Sequence, residues 1–314
     1  MTFADFVRLE WKPNAELALK KKSVSYYEFQ LDTRILPTLG SICLCNLNRA
    51  HIEGVLSGLR RKGDTGSTLR GVRATVSTVL QAAVEHGFLD RNPAHGIRLR
   101  NTSGRAERRY YGPAEIQALL PKLSEPCRTV VTIAVLTGLR IGEILALRWK
   151  RVDLLRRTIE VAETFSDGEF GSPKTRSSRR VIPMSESLEK TLEAHKSRSI
   201  RATPEDLVFT TSKGTPLSSK NLYNRVLAPA CDQIKRPRVS WHAFRHTHAT
   251  LLAEVGESMK TAQALLGHSD LETTLNIYAH ALPASQRRAV DRVSEVMFSS
   301  VLELGEKQEV EKPN

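Results

Sequence analysis

Residues 130–145 read VVTIAVLTGLRIGEIL, and the architecture of the chain turns on them. Val130 to Leu136 form an apolar run of helical character that stops at Thr137-Gly138, where a glycine suits the left-handed closure of a helix. A second apolar helix begins almost at once, so Arg140 sits in a tight turn between two buried elements. An arginine there is costly to desolvate without a partner. Two readings are open at this point: an ion pair with Glu143 or another carboxylate, or a guanidinium held ready for an external anion.

Outward from this turn, helical patterns cover 113–123, with Pro113 suited to a first turn, then 126–136 and 141–149. Short β-like runs follow at Thr158–Thr164 and Arg180–Pro183, and helices resume from about Glu186 to the end. On the other side, residues 1–100 read as a four-helix module. Helical patterns lie at 3–11 and 23–35. Ile52, Val55, Leu56 and Leu59 recur at helical spacing behind the N-cap candidate Asn48, and Leu69, Val72, Val76, Val79, Leu80, Ala83 and Val84 line a helix over 67–86. Asn92-Pro93 stops that helix. Between Ile97 and Arg109 the periodicity is lost and Arg98, Arg100, Arg105, Arg108 and Arg109 crowd together. The expected fold class is mainly α with a small antiparallel β-sheet. It divides into a helical domain over 1–100, a basic linker over 101–109, an α+β domain over 110–300 and an acidic C-terminal tail over 301–314.

The 314 residues carry 47 Lys+Arg against 34 Asp+Glu, a net charge of +13. Residues 1–109 hold +8 of it and the remaining 205 hold +5, so the smaller part is the more basic per residue. Such a surplus favours a polyanionic partner. Two basic modules on a basic strap could close around a duplex, although a solvated linker has the same composition. The N-terminus lacks a signal-peptide core, and Val130–Leu136 is far shorter than the roughly 20 residues that span a bilayer. Four cysteines, Cys43, Cys45, Cys127 and Cys231, make neither a disulfide framework nor a zinc ribbon. A cytoplasmic protein with no membrane partner is expected.

Two further segments carry candidate chemistry. In WHAFRHTHAT, His242 and Arg245 are three apart and share a helix face. A guanidinium presents paired donors matched to phosphate oxygens, and an imidazole adds another. His242 and His246 also have a metal-compatible spacing, but neither HExxH nor a two-His-one-carboxylate pattern accompanies them. In LLGHSDLETTLNIYAH, Gly267 suits a helix end and Ser269-x-x-Glu272 a capping box, which leaves His268 in a bend and Tyr278 about two and a half turns later.

Arg140 in TGLRIGEI, His242 and Arg245 in HAFRHT, His268 in LGHSD and Tyr278 in IYAH together resemble, in order and spacing, the signature of the tyrosine recombinase (phage integrase) family. The resemblance covers about 110–285 and extends to 1–100, where ILPTLG and DRNPA are typical of that family's helical core-DNA-binding domain. It implies a site-specific recombinase that cuts and rejoins double-stranded DNA through a 3′-phosphotyrosyl link to Tyr278. Arg140, Arg245, His242 and His268 would stabilise charge on the phosphate. Lys174, in the hairpin sequence SPKTRSSRRVIP, would protonate the leaving 5′ oxygen. No metal, nucleotide or other cofactor is implied. The resemblance also implies a homotetramer on DNA, and 282–304, with Val290, Val293, Val296, Met297, Val301 and Leu302, has the apolar spacing for exchange of a C-terminal segment.

Two departures stand out. HAFRH has Ala243 and Phe244 where relatives commonly have Asp and Leu, and Arg176, Arg179 and Arg180 crowd the hairpin around Lys174. Phe3–Trp11 already reads as the first helix of the core-binding module. The extra arm-binding domain of many phage-type members is therefore expected to be absent, in a short form or in a chain that begins after a removed segment. The competing readings are single-duplex relaxation of the type IB topoisomerase kind and a catalytically silent DNA-binding protein. Compact size disfavours the first, and the full set Arg140, Lys174, His242, Arg245, His268 and Tyr278 disfavours the second.

Overall fold

The computed structural model describes residues 1–99, 110–172, 179–267 and the four residues 290, 291, 293 and 294. The chain forms two compact units, Met1–Glu107 and Arg108–Asn314. The linker over 101–109, the Lys174 segment, His268, Tyr278 and the acidic tail all lie outside the described residues.

Among the described residues, the first unit is built from helices α1 (3–18), α2 (21–39), α3 (Arg49–Arg61) and α4 (Gly66–Glu85). Both α1 and α2 contain a π-helical turn, at Val7–Trp11 and Leu31–Ile35. Local chemistry starts three of the four. The Thr2 and Asn48 side chains cap α1 and α3 with reciprocal bonds from the third residue, and Thr65 caps α4. The apolar faces meet in a core of Phe3, Phe6, Leu31, Ile35, Ile52, Val72, Val76 and Leu80. The DRNPA segment seals it. Asn92 Nδ2 donates to Ser77 O at 2.9 Å and Asn92 Oδ1 accepts from Ala94 N at 2.9 Å, while Ala94 and Ile97 are buried in the same core.

The second unit opens with α5 (Pro113–Leu119) and the buried helix α6 (Cys127–Thr137), then α7 (Ile141–Leu145). A three-stranded antiparallel sheet, ordered β1-β2-β5, joins β1 (Val152–Asp153), β2 (Thr158–Val161) and β5 (Arg180–Pro183). Ile159 pairs with both Val152 and Ile182. A separate hairpin pairs β3 (Thr164–Ser166) with β4 (Glu169–Gly171). Helices α8 (Glu186–Arg198), α9 (219–233), α10 (Trp241–Glu254) and α11 (Met259–Leu266) follow. The core runs from Val130, Val131 and Ile133 through Leu145, Trp149 and Ile159 to Phe209 and Phe244. Mostly helical with small antiparallel sheets, this is the fold class read from the sequence.

Three local expectations differ from the structure. The helix expected over 141–149 ends at Leu145, because the backbone beyond it bonds elsewhere. Val208 N donates to Leu147 O, Trp149 N to Asp206 O and Lys150 N to Pro204 O. The single run Thr158–Thr164 is split between β2 and β3, which belong to different sheets. Between Arg198 and Ser219 the chain is loop rather than helix, with isolated bridges Arg148↔Leu207 and Thr210↔Pro216.

Candidate active site

The turn after α6 and the end of α11 share a design. Each helix closes on a left-handed glycine, Gly138 at φ 66° and Gly267 at φ 63°. A side chain at 138 has no room, since a Cβ would lie 2.7 Å from both His248 Cδ2 and Leu266 Cδ2. Arg245, on the second turn of α10, lies between these two helix ends. Its Nη1 donates to Gly138 O at 2.8 Å and its Nη2 to Leu266 O at 2.6 Å. Helix C-termini carry unsatisfied carbonyls and partial negative charge, so two of them form a cradle for a guanidinium. Arg245 is 2% exposed, and its Nε has no partner among the described residues. Burial disfavours its charge, the neighbouring Arg140 and Arg180 add to this, and Glu143 partly offsets them.

Arg140 lies two residues beyond Gly138 and is held differently. It N-caps α7, its backbone N donating to Glu143 Oε2 at 3.0 Å and its Nη1 to Glu143 Oε1 at 2.8 Å. Of the two readings open for Arg140, the structure shows the ion pair with Glu143 rather than a guanidinium free of carboxylates. The cause is local: three residues along a helix start bring the two side chains together. Arg245, by contrast, is held by carbonyls.

Glu143 takes a second arginine. Arg180, at the start of β5, donates Nη2 to Glu143 Oε2 at 3.1 Å and Nε to Leu265 O at 2.7 Å. Burial pushes the Glu143 carboxyl up, but Arg180 and Arg140 outweigh it and hold it below the usual carboxylate range. The side chains of Glu143 and Arg180 are 3% and 7% exposed. Arg180 thus ties α7, the end of α11 and the strand that follows the Lys174 segment into one cluster. On the sequence it was only one of the arginines crowding Lys174. Its partner lies 37 residues away, so no local spacing marks it; the available signal was a carboxylate one turn after Arg140.

His242 shares α10 with Arg245 one turn earlier, but it is exposed where Arg245 is buried. It belongs to the first turn, whereas Arg245 lies deeper, under the ends of α6 and α11. His246 stacks on Tyr110 with ring centres 5.4 Å apart, and Thr250 lies at hydrogen-bond distance from its Nδ1. His248 Nδ1 bonds Val135 O at 2.8 Å and pins α10 to α6 beside Gly138. Neither histidine joins a metal cluster; among the described residues no group of three or more metal-ligating side chains occurs. The structure brings together Arg140 and Arg245, with His242 on the same helix. His268 would follow Gly267 directly.

Gly142 sets the last boundary of the site. A Cβ there would meet Thr164 Oγ1 at 2.7 Å and Phe165 O at 2.8 Å, so only glycine lets the β3–β4 hairpin rest on α7. The hairpin turns at Asp167-Gly168, both at positive φ, and Phe165 packs on Phe170 with ring centres 4.9 Å apart.

The profile of the phage integrase family matches residues 112–285. The ICEBs1 integrase of Bacillus subtilis (strain 168) is 30% identical over 254 residues, which cover 76% of this chain and 68% of that protein. A tyrosine recombinase XerC-like protein of Caldanaerobacter subterraneus is 27% identical over 282 residues, covering 79% and 71%. Among solved structures, the Tn1549 transposon integrase in complex with transposon right end DNA superposes with a TM-score of 0.77 at 21% identity, over 94% of this chain and 100% of that one. A lambda integrase dimer bound to a core site gives 0.70 at 19%, over 88% and 95%. These two likenesses carry the fold; the sequence matches carry the family. The family match over residues 112–285 contains both the arginine turn and the helix bearing His242 and Arg245, and with relatives matched over most of the chain it leads to one assignment: the chain belongs to the phage integrase family, the tyrosine recombinases.

Proposed function

We propose that this chain is a site-specific DNA recombinase that cuts and rejoins strands through a covalent 3′-phosphotyrosyl intermediate on Tyr278, with no metal or nucleotide. The observation that carries the reading is the Arg245 cradle. A guanidinium this deeply buried, held by carbonyls with Arg140 beside it, is a fixed positive charge with no carboxylate hydrogen-bonded to it among the described residues. As Tyr278 Oη attacks phosphorus, negative charge grows on the non-bridging oxygens. Preorganised cations stabilise that charge more than they stabilise the ground state. Arg140, Arg245, His242 and His268 are assigned to this task.

The bond formed is phosphorus to Tyr278 Oη, and the bond broken is phosphorus to the 5′ oxygen. Tyr278 gives up its proton during attack, and the leaving oxygen takes one from Lys174 Nζ. The phosphotyrosyl link conserves the energy of the broken ester, so a 5′ hydroxyl can reverse the step without ATP.

Duplex DNA is the proposed partner, gripped by the basic module over 1–100 and the linker over 101–109. The charge distribution supports this, as do solved integrases of the same fold bound to transposon-end DNA and core-site DNA. A homotetramer is proposed on the same footing, since lambda integrase has been solved as a tetramer on a Holliday junction. The described residues include no helix long and apolar enough to cross a membrane.

The test is a nicked suicide substrate that traps the cleaved state. Wild-type protein should give an SDS-stable protein–DNA adduct in EDTA, and Tyr278→Phe should give none. An adduct from Tyr278→Phe would remove the nucleophile assignment, and strict dependence on Mg²⁺ would remove the metal-free mechanism.

A further inference from the structure

Cys43 and Cys45 take no part in the chemistry above, yet their sulfur atoms lie 3.0 Å apart. That is about 1 Å beyond a disulfide bond length. They sit in the loop between α2 and α3, and the backbone sets their approach. Cys43 is extended, and Leu44–Asn46 then form a 3-10 turn that folds Cys45 back, with Asn46 N donating to Cys43 O at 2.9 Å. The loop is anchored on both sides. Thr2 pairs with Cys43, Leu44 N donates to Met1 O, Leu44 and Leu47 are buried in the core, and Asn48 caps α3. The sulfurs can therefore join without displacing the elements around them.

We propose that Cys43 and Cys45 form a reversible dithiol–disulfide site whose reaction partner is a small disulfide of the glutathione class. Cys43 is the attacking thiol. Cys45 Sγ is placed to donate to Asn46 Oδ1 at 3.7 Å, which keeps the proton on Cys45, while backbone N–H groups of Cys45 and Asn46 favour the Cys43 thiolate. Cys45 is exposed and Cys43 half-buried, so the pair is reachable. Cys127 and Cys231 are buried and so out of reach of a solvent-borne disulfide in the folded chain, and burial also pushes the Cys127 thiol up to about 12.

In the first step the Cys43 thiolate attacks one sulfur of the small disulfide, forming a mixed disulfide and releasing one small thiolate. In the second, Cys45, losing its proton to solvent, attacks the Cys43 sulfur and releases the other small thiolate. The protein dithiol loses two electrons and the small disulfide gains them. Only one residue separates the two cysteines, so closing the ring gains little chain entropy, and the product is readily reduced again rather than a structural staple.

The full chain, native, is incubated with oxidised glutathione, quenched with acid and read by intact mass and peptide mapping. The expected result is a loss of about 2 Da, with Cys43 joined to Cys45, and full recovery with dithiothreitol. Cys45→Ser should stop at a glutathione adduct on Cys43. Stable glutathione adducts on the wild type, disulfide-linked dimers, or no reaction without denaturant would each overturn the proposal. An adduct absent from Cys45→Ser would overturn the role of Cys43.

Discussion

Two arginines of one site are secured in opposite ways. Arg245 is held by the carbonyls of Gly138 and Leu266, whereas Arg140 is held by the Glu143 carboxylate that Arg180 also uses. A carbonyl fixes a guanidinium and leaves its charge whole; a carboxylate fixes it and cancels much of the charge. Arg140 is also the more exposed, with 40% of its side chain accessible. The lesson is that position in a motif does not tell how a cation is supported, and that the support decides what each loses when altered.

The largest effect should come from removing the carbonyl-held fork. Arg245→Lys keeps a charge but cannot reach both helix ends in one plane. Single-turnover cleavage of the suicide substrate should fall roughly 100- to 1000-fold, with DNA affinity changed far less. An equal fall in affinity would mean that Arg245 binds rather than activates. On the other side of the comparison, Glu143→Gln leaves Arg180 buried without its counter-charge. Chemical denaturation should show a loss of about 3 kcal/mol. No loss would mean that Leu265 O and other partners suffice to hold Arg180.

Gly138→Ala attacks the cradle through its backbone. It forces a side chain into the left-handed region and against His248 and Leu266, for about 2 kcal/mol in thermal unfolding. Cleavage should fall with it, because Gly138 O would move away from Arg245.

The smallest effect is a pH dependence. Burial holds the His248 imidazole below its ordinary value of 6.5 and outweighs the bond to Val135 O, with Arg245 adding to the shift. The unfolded chain therefore binds a proton that the folded chain refuses, and stability is lost as pH falls through 6.5. Glu143 acts lower. Its carboxyl is held below the ordinary 4.5, so its contribution is present above that value and is lost as pH falls beneath it. Urea titrations should show two successive losses, the first missing in His248→Gln and the second in Glu143→Gln.

Short-range order was legible in the sequence. Asn48 as a cap, the apolar spacing of α3 and α4, the glycine closures at 138 and 267 and the turn position of Arg140 all follow from residues within one or two turns. What escaped is long-range. The helix beyond Leu145 was lost to bonds with 204–208, which no local propensity announces. The Arg180–Glu143 pair joins elements 37 residues apart, and the same crowding of arginines that obscured Lys174 hid it. The shared face of His242 and Arg245 was readable, but their opposite burial depends on where α6 and α11 end.

Gly142 has a practical consequence. The β3–β4 hairpin is locked at its base by the missing Cβ, while its turn at Asp167-Gly168 is exposed. A reporter group or short insertion at the exposed turn would ride on a stem whose base is fixed to α7. This gives a handle for following the approach of the hairpin to α7 by fluorescence.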